Sequence, residues 1–152
     1  LLHSEEIMSD RAEALLMIAS RAQLTDKVIL PYLIDGRWVV ADRYADSTLA
    51  YQGGGRGLSS TALGEINYFG TYTLKPDLTF FIDISVEEAN KRVSVSRDRI
   101  EKEGVEFQQR VRDFYTSLHT KEPERVILIN GENSVDAIHS EIWSIVNEKL
   151  MP

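Results

Sequence analysis

The sequence predicts an α/β fold, a parallel sheet flanked by helices, and three observations lead there. Trp38–Ala41, Leu78–Ile84 and Val126–Ile129 are short apolar runs without alternation, the pattern of strands buried on both faces. Stretches of helical periodicity separate these runs. Breakers such as Asp35-Gly36 and Lys75-Pro76-Asp77 mark the joins. Strands alternating with helices form parallel sheets, and such sheets hold ligands beyond the carboxyl ends of their strands.

Taken in order, Asp10 with Glu13 three residues later predicts a helix start, and the stripe Ala12, Leu15, Leu16, Ala19, Ala22, Val28, Ile29 carries that helix to about Leu33. The Trp38–Ala41 strand then leads into Asp42-Arg43-Tyr44. A short helix is expected from about Asp46 to Gln52, before three glycines, and another from Ser60 to Leu74. The Leu78–Ile84 strand precedes a helix from Val86 to about Val93. Ser94–Arg99 has no periodicity and several charges. A helix from Val105 to about His119, the Val126–Ile129 strand and a helix from Ser134 to Leu150 complete the chain. There is no repeat, linker or low-complexity tract, so residues 1–152 are expected to form a single domain.

Composition narrows the function. A formal net charge of -7 argues against non-specific coating of nucleic acid or anionic membrane, so a bound anion must be gripped by locally placed arginines. The absence of cysteine removes disulfides and thiolate metal sites and fits a reducing cytoplasm. No apolar run approaches the roughly 18 residues of a membrane helix, and no signal peptide opens the chain. The three histidines, His3, His119 and His139, fall in separate elements and suggest no metal site. Leu1-Leu2-His3 begins without methionine and reads like the tail of an earlier element.

Asp42 and Arg43 stand where the first strand gives out. Arg43 offers a planar fork that matches a phosphate bidentately, where lysine would be a point charge. Asp42 could orient that arginine or receive a magnesium-bound water. Taken alone, an Asp-Arg pair reads as a surface ion pair at a strand terminus. Ser47 and Tyr51 lie four apart, and with Thr48 they turn hydroxyls to one helical face; alone, Tyr51 reads as a half-buried core aromatic. Met17 and Arg21 are also four apart, and a mid-helix arginine must find a partner or reach solvent. The glycines are no phosphate loop, since no Gly-Lys-Ser/Thr follows. Arg97-Asp98-Arg99 reads either as an exposed loop or as a lid that closes on transferring phosphates.

With these residues laid out, the chain resembles the thymidylate kinase family. The resemblance runs through AEALLMIASRAQL, DRYADSTLAYQGGGRG, KPDLTFFIDIS, DRIE and FQQRVRDFY, and so spans the sequence. The DRY-x-x-S-x-x-AYQG pattern carries most of its specificity. It implies a P-loop nucleoside monophosphate kinase fold, transfer of the γ-phosphoryl of ATP to dTMP with Mg²⁺ to give dTDP, a cytoplasmic setting and a homodimer. By the same resemblance, Arg43 holds the dTMP phosphate, with Asp42 beside the metal through water. Arg21 hydrogen-bonds thymine, and Met17 stands where the family often stacks phenylalanine. Tyr51 lies beside the sugar and disfavours a 2′-hydroxyl, with Ser47, Thr48 and Gln52 lining the same pocket and the glycines bringing the backbone close to the ligand. A lid at about residues 92–101 contains Arg92, Asp98 and Arg99, and Arg97 there neutralises the transferring group. The family opens with a strand, a phosphate loop ending Gly-Lys-Ser/Thr and an Arg-Glu-Pro-Gly-Gly segment. None occurs in these residues, so the chain by itself is expected not to catalyse the reaction. Rival readings are a kinase for another nucleotide such as UMP or CMP, or for a deoxynucleoside, and a non-catalytic nucleotide-binding domain.

Overall fold

A computed structural model describes residues 8–92, 100 and 103–151. The expected lid residues Arg97, Asp98 and Arg99 lie outside them. The chain divides into two compact units: residues 1–75 with 98–111, and residues 76–97 with 112–152.

In the first unit, α1 (Asp10–Leu24) begins at the residue expected to cap it, one residue earlier than expected. Ser9 is the cap residue, and its hydroxyl accepts the Ala12 N–H at 3.3 Å. Asp10 and Glu13 instead occupy the first turn, where carboxylates complement the helix dipole. The helix continues through a π-helical turn, Thr25–Ile29, into α2 (Leu30–Ile34). Pro31 has no N–H to donate and its ring crowds the preceding turn, and the wider winding directly precedes it. The expected short helix divides into α3 (Ala45–Thr48) and a π-helix, Leu49–Gly55. The next helix, α4 (Ser60–Gly70), is capped by the Ser59 hydroxyl and stops before Leu74. Tyr72 and Thr73 there take left-handed backbone at φ 54° and 65°. Ala14, Ile18 and Leu63 form the core where α1 meets α4, with Leu49 and Leu58 packed against it.

One expected strand does not form. Residues 38–41 take no regular structure, Trp38 is 58% exposed and Val40 is 95% exposed. A strand needs a neighbour for its backbone N–H and C=O groups. Among the described residues no strand pairs with this run. Its apolar pattern was therefore not sufficient.

The second unit holds the parallel pair. β1 (Thr79–Asp83) and β2 (Val126–Asn130) run in register from Thr79 opposite Val126 to Asp83 opposite Asn130. Val126 and Ile129 are fully buried, whereas Ile82 is half exposed, so β1 is not covered on both faces. α5 (Val86–Arg92) follows β1, and α7 (Val135–Leu150), capped by Ser134, follows β2. α6 (Val105–Lys121) contributes its first seven residues to the first unit and the remainder to the second. Within the second unit, Tyr115 stacks on Phe81 with ring centres 4.7 Å apart, and Arg112 grips Asp83 bidentately at 2.6 and 2.8 Å. The hydrogen bond to Asp83, joined by its charge, raises the Arg112 pKa above its ordinary value despite partial desolvation.

Gly131 follows β2 directly, and a side chain there would meet the Asp83 carbonyl oxygen at 2.8 Å. Backbone cannot yield as a flexible side chain can. Gly131→Ala is therefore expected to destabilise the protein by about 1–3 kcal/mol in urea unfolding; an unchanged midpoint would contradict this packing.

Candidate functional site

Of the residues singled out from the first half of the chain, Met17 and Arg21 lie on α1, Ser47, Thr48, Tyr51 and Gln52 on the run from α3 through the π-helix, and Asp42 and Arg43 on the exposed segment before it. Glu13, Met17 and Arg21 follow one another at four-residue spacing along α1 and so share a face. Thr48 and Gln52 do the same across α3 and the π-helix. Arg21 Nη1 donates to Thr48 Oγ1 at 2.7 Å and to Asn67 Oδ1 at 3.2 Å. At the other end, Gln52 Nε2 donates to Glu13 Oε1 at 3.0 Å. Arg21 is therefore held by partners, and of the two readings open for a mid-helix arginine, it takes the paired one.

Tyr44 extends this face. Its ring centre lies 5.8 Å from the Arg21 guanidinium, and its hydroxyl shares a 2.7 Å hydrogen bond with the fully buried Thr25. Asn67 reaches back to the Ala45 carbonyl at 3.2 Å, fixing the start of α3. Ser47 and Thr48 are buried, Tyr51 and Met17 half-buried, and Gln52 is 2% exposed.

Arg43 leaves the exposed 38–42 segment with φ 65°, left-handed backbone that an L side chain rarely adopts. Such a conformation costs about 1 kcal/mol or more, and surrounding structure must hold it. The Arg43 guanidinium lies 4.9 Å from the centre of the Tyr51 ring, a cation–π contact. Asp42 is exposed beside it. Arg21 and Arg43 thus meet side chains three residues apart, Thr48 and Tyr51, on one continuous helical run. Arg92 belongs to the second unit, where it pairs with Glu88 at 3.0 Å and donates to the Gly131 carbonyl at 2.9 Å.

Several residues of this arrangement were not singled out from sequence as site residues. Arg56, with only 12% of its side chain exposed, donates to both Glu13 oxygens, at 3.3 and 3.2 Å, and to Glu103. Asp10 approaches it at 3.4 Å from the solvent side. Burial pulls the Arg56 pKa down, but the hydrogen bonds to Glu13 and Glu103 and their charges outweigh it, so the net shift is upward. The four-residue spacing Glu13–Met17–Arg21 was a signal for Glu13. Asn67, one helical turn after buried Leu63, was another. Nothing local marked Arg56.

The arrangement offers two guanidinium groups set against one helical run, with hydroxyls and an aromatic ring on that run, a set suited to an anionic ligand that carries a planar polar ring. Comparison with known proteins narrows this class. The thymidylate kinase of Ehrlichia chaffeensis superposes with a TM-score of 0.76 at 28% identity, covering 94% of this chain and 68% of that one. The fold is accordingly the α/β fold of a nucleoside monophosphate kinase. The thymidylate kinase family model matches residues 1–142. The thymidylate kinase of Kosmotoga olearia is 43% identical over 144 residues, 93% of this chain and 69% of that protein. That of Chlorobaculum parvum is 40% identical over 163 residues, 100% of this chain and 75% of that protein. This chain belongs to the thymidylate kinase family.

Two substitutions test the geometry. Glu13→Gln removes the most buried carboxylate beside Arg56 but leaves Glu103 and Asp10, and is expected to cost about 1–2 kcal/mol in urea unfolding. Asp10→Asn, on the exposed side of the same arginine, should cost under about 1 kcal/mol. At Arg43, glycine should give a protein more stable than alanine by about 1 kcal/mol, since only glycine takes the left-handed backbone without strain. Equal thermal midpoints for Arg43→Gly and Arg43→Ala would contradict that conformation.

Proposed function

We propose that the protein transfers the γ-phosphoryl group of ATP to dTMP, giving dTDP, and that the face formed by α1, α3 and the π-helix receives the dTMP. The observation that supports this most is that Arg21 and Arg43 converge on Thr48 and Tyr51, one turn of helix apart. A nucleoside monophosphate has its phosphate at one end and a base with polar edges at the other, and the two arginines suit those two ends.

In this reading Arg43 clamps the phosphate bidentately. Tyr51, against its guanidinium, stands beside the sugar and leaves no room for a 2′-hydroxyl. Arg21, steadied by Thr48 and Asn67, hydrogen-bonds a base oxygen. Met17 covers the base through its polarizable sulfur, as a soft apolar chain can. Ser47 and Gln52 complete the wall, and Gln52 is also tied to Glu13. Arg97 acts at the phosphoryl group in flight, within a lid of Arg92, Asp98 and Arg99. Little covalent work falls to the protein in this reaction class; positioning and charge neutralisation lower the barrier.

Mg²⁺ fits the residues at hand. Among the described residues no cluster of three or more His, Cys, Asp or Glu could cage a metal. Mg²⁺ commonly keeps its waters and binds through one carboxylate and the nucleotide phosphates. Asp42, exposed beside Arg43, supplies such a carboxylate through water. Bound with ATP, the ion offsets negative charge on the phosphoryl oxygens. We further propose a cytoplasmic homodimer with no nucleic-acid or membrane partner, the chain forming one domain of the enzyme. Exposed Leu24 and Val28, four apart, and Phe69, 85% exposed, offer apolar surface to a second copy.

Calorimetric titration of dTMP tests the phosphate clamp. Arg43→Ala should weaken dTMP binding by about 10- to 100-fold, Tyr51→Phe by less, and unchanged affinity in Arg43→Ala would refute the role. Given ATP, Mg²⁺ and a panel of monophosphates, the full-length natural protein should consume dTMP in preference to UMP and CMP; preference for either of those would move the assignment. Chelation with EDTA should stop transfer yet leave dTMP binding intact, because both arginine contacts are independent of metal. Finally, Leu24→Glu with Val28→Glu should shift the species measured by light scattering toward the monomer.

A further inference from the structure

The Tyr51 ring that faces Arg43 is itself supported from below. Phe107, 5% exposed on the first turn of α6, lies with its ring centre 6.2 Å from that of Tyr51, the planes inclined at 53°. The same ring fills the space beside Gly55, where a Cβ would come within 2.6 Å of Phe107 Cζ. The Arg56 guanidinium sits 5.1 Å from the Phe107 ring centre. One turn further along α6, Arg110 donates from Nε and Nη2 to the Gly55 carbonyl at 3.1 and 2.8 Å. That carbonyl ends the π-helix, where intrahelical donors run out and a cation complements the helix dipole. The start of α6 therefore touches the helix bearing Tyr51 in two ways: an aromatic wedge from Phe107 and a two-pronged clip from Arg110.

We infer that Phe107 and Arg110 are positioning residues for nucleotide recognition. They set the place of Tyr51 and, through its ring, of Arg43, so discrimination between deoxyribose and ribose depends on residues outside the nucleotide wall. Gly55 is required because Phe107 must approach the backbone there. The inference rests on the reading that the 45–55 helix carries the sugar wall.

Discrimination is the informative readout. A variant that merely folds less well loses active protein, which scales the binding of both nucleotides alike. A displaced Tyr51 changes their ratio. Dissociation constants for dTMP and its ribose counterpart, measured by calorimetry alongside the thermal midpoint, separate the two. Phe107→Leu should weaken dTMP binding about tenfold and cut the deoxy-over-ribo preference at least about threefold, since small misplacements of a binding group are costly. Arg110→Gln should act in the same direction, less strongly. Gly55→Ala should reproduce the loss, and Gly55→Ala with Phe107→Leu should cost less than the sum, because the smaller side chain leaves room for the new methyl. Lys149→Gln, an exposed charge in the other unit, should leave the ratio unchanged. The inference is overturned if Phe107→Leu and Arg110→Gln lower the thermal midpoint but keep the wild-type ratio. A wild-type protein that binds neither nucleotide overturns the functional reading first, and this inference with it.

Discussion

A guanidinium held between carboxylates ties together the helices of the first unit that carry Arg21, Thr48 and Gln52. Arg56 joins Glu13 on α1 to Glu103 just before α6, and Gln52 shares the Glu13 carboxylate. Each group would be costly alone in that environment, and each is satisfied by the others. Among the described residues no buried side-chain nitrogen or oxygen lacks a partner. Loss of Glu13 would leave Arg56 with the more exposed Glu103 and Asp10 as its partners. The lateral position of the 45–56 run along α1 is set this way, with Arg21 and Thr48 at one end and Glu13 and Arg56 at the other.

On that base the two arginines are held in different ways. Thr48, Asn67 and Tyr44 hold Arg21 within a partly buried polar face, so its guanidinium is already ordered. Arg43 is held differently, by left-handed backbone and the Tyr51 ring, and its neighbour Asp42 remains in solvent. Strain at Arg43 is consistent with the pattern that unfavourable backbone persists where a binding group must be aimed. The π-helical winding adds to this: a wider turn displaces side chains from the register an α-helix would give, and such turns concentrate at functional sites.

How much of this could be read from the residues depended on whether the cause was local. The α1 stripe, the helix starts after Ser59 and Ser134 and the β1 and β2 runs are local patterns, and each formed where expected, although α4 ends at Gly70 and not Leu74. Trp38–Ala41 has the same apolar signature as β2, but a strand is made by its neighbour, and Val40 stands 95% exposed. The cap of α1 was misplaced by one residue because Ser9 and Asp10 are both good caps and only geometry chooses between them. Of the π-turns, the first had a signal in Pro31 that the unbroken apolar stripe masked, and the second had no recognised local signal. Helical spacing aligned Met17 with Arg21 and Ser47 with Tyr51, Thr48 followed one residue on, and Gln52 entered only through the family resemblance. Arg56, Glu103 and Tyr44 were missed because a polar residue near a helix end usually faces water, and here long-range partners bury it or hold it.

The central claim is that one nucleotide engages Arg21 and Arg43 together. The most direct test is NMR of the arginine Nε–H groups during a dTMP titration. The account predicts that the Arg21 and Arg43 signals shift with one common dissociation constant, while that of Arg37, exposed in the turn after α2, stays in place. Movement of only one of the two, or separate constants for each, would contradict it.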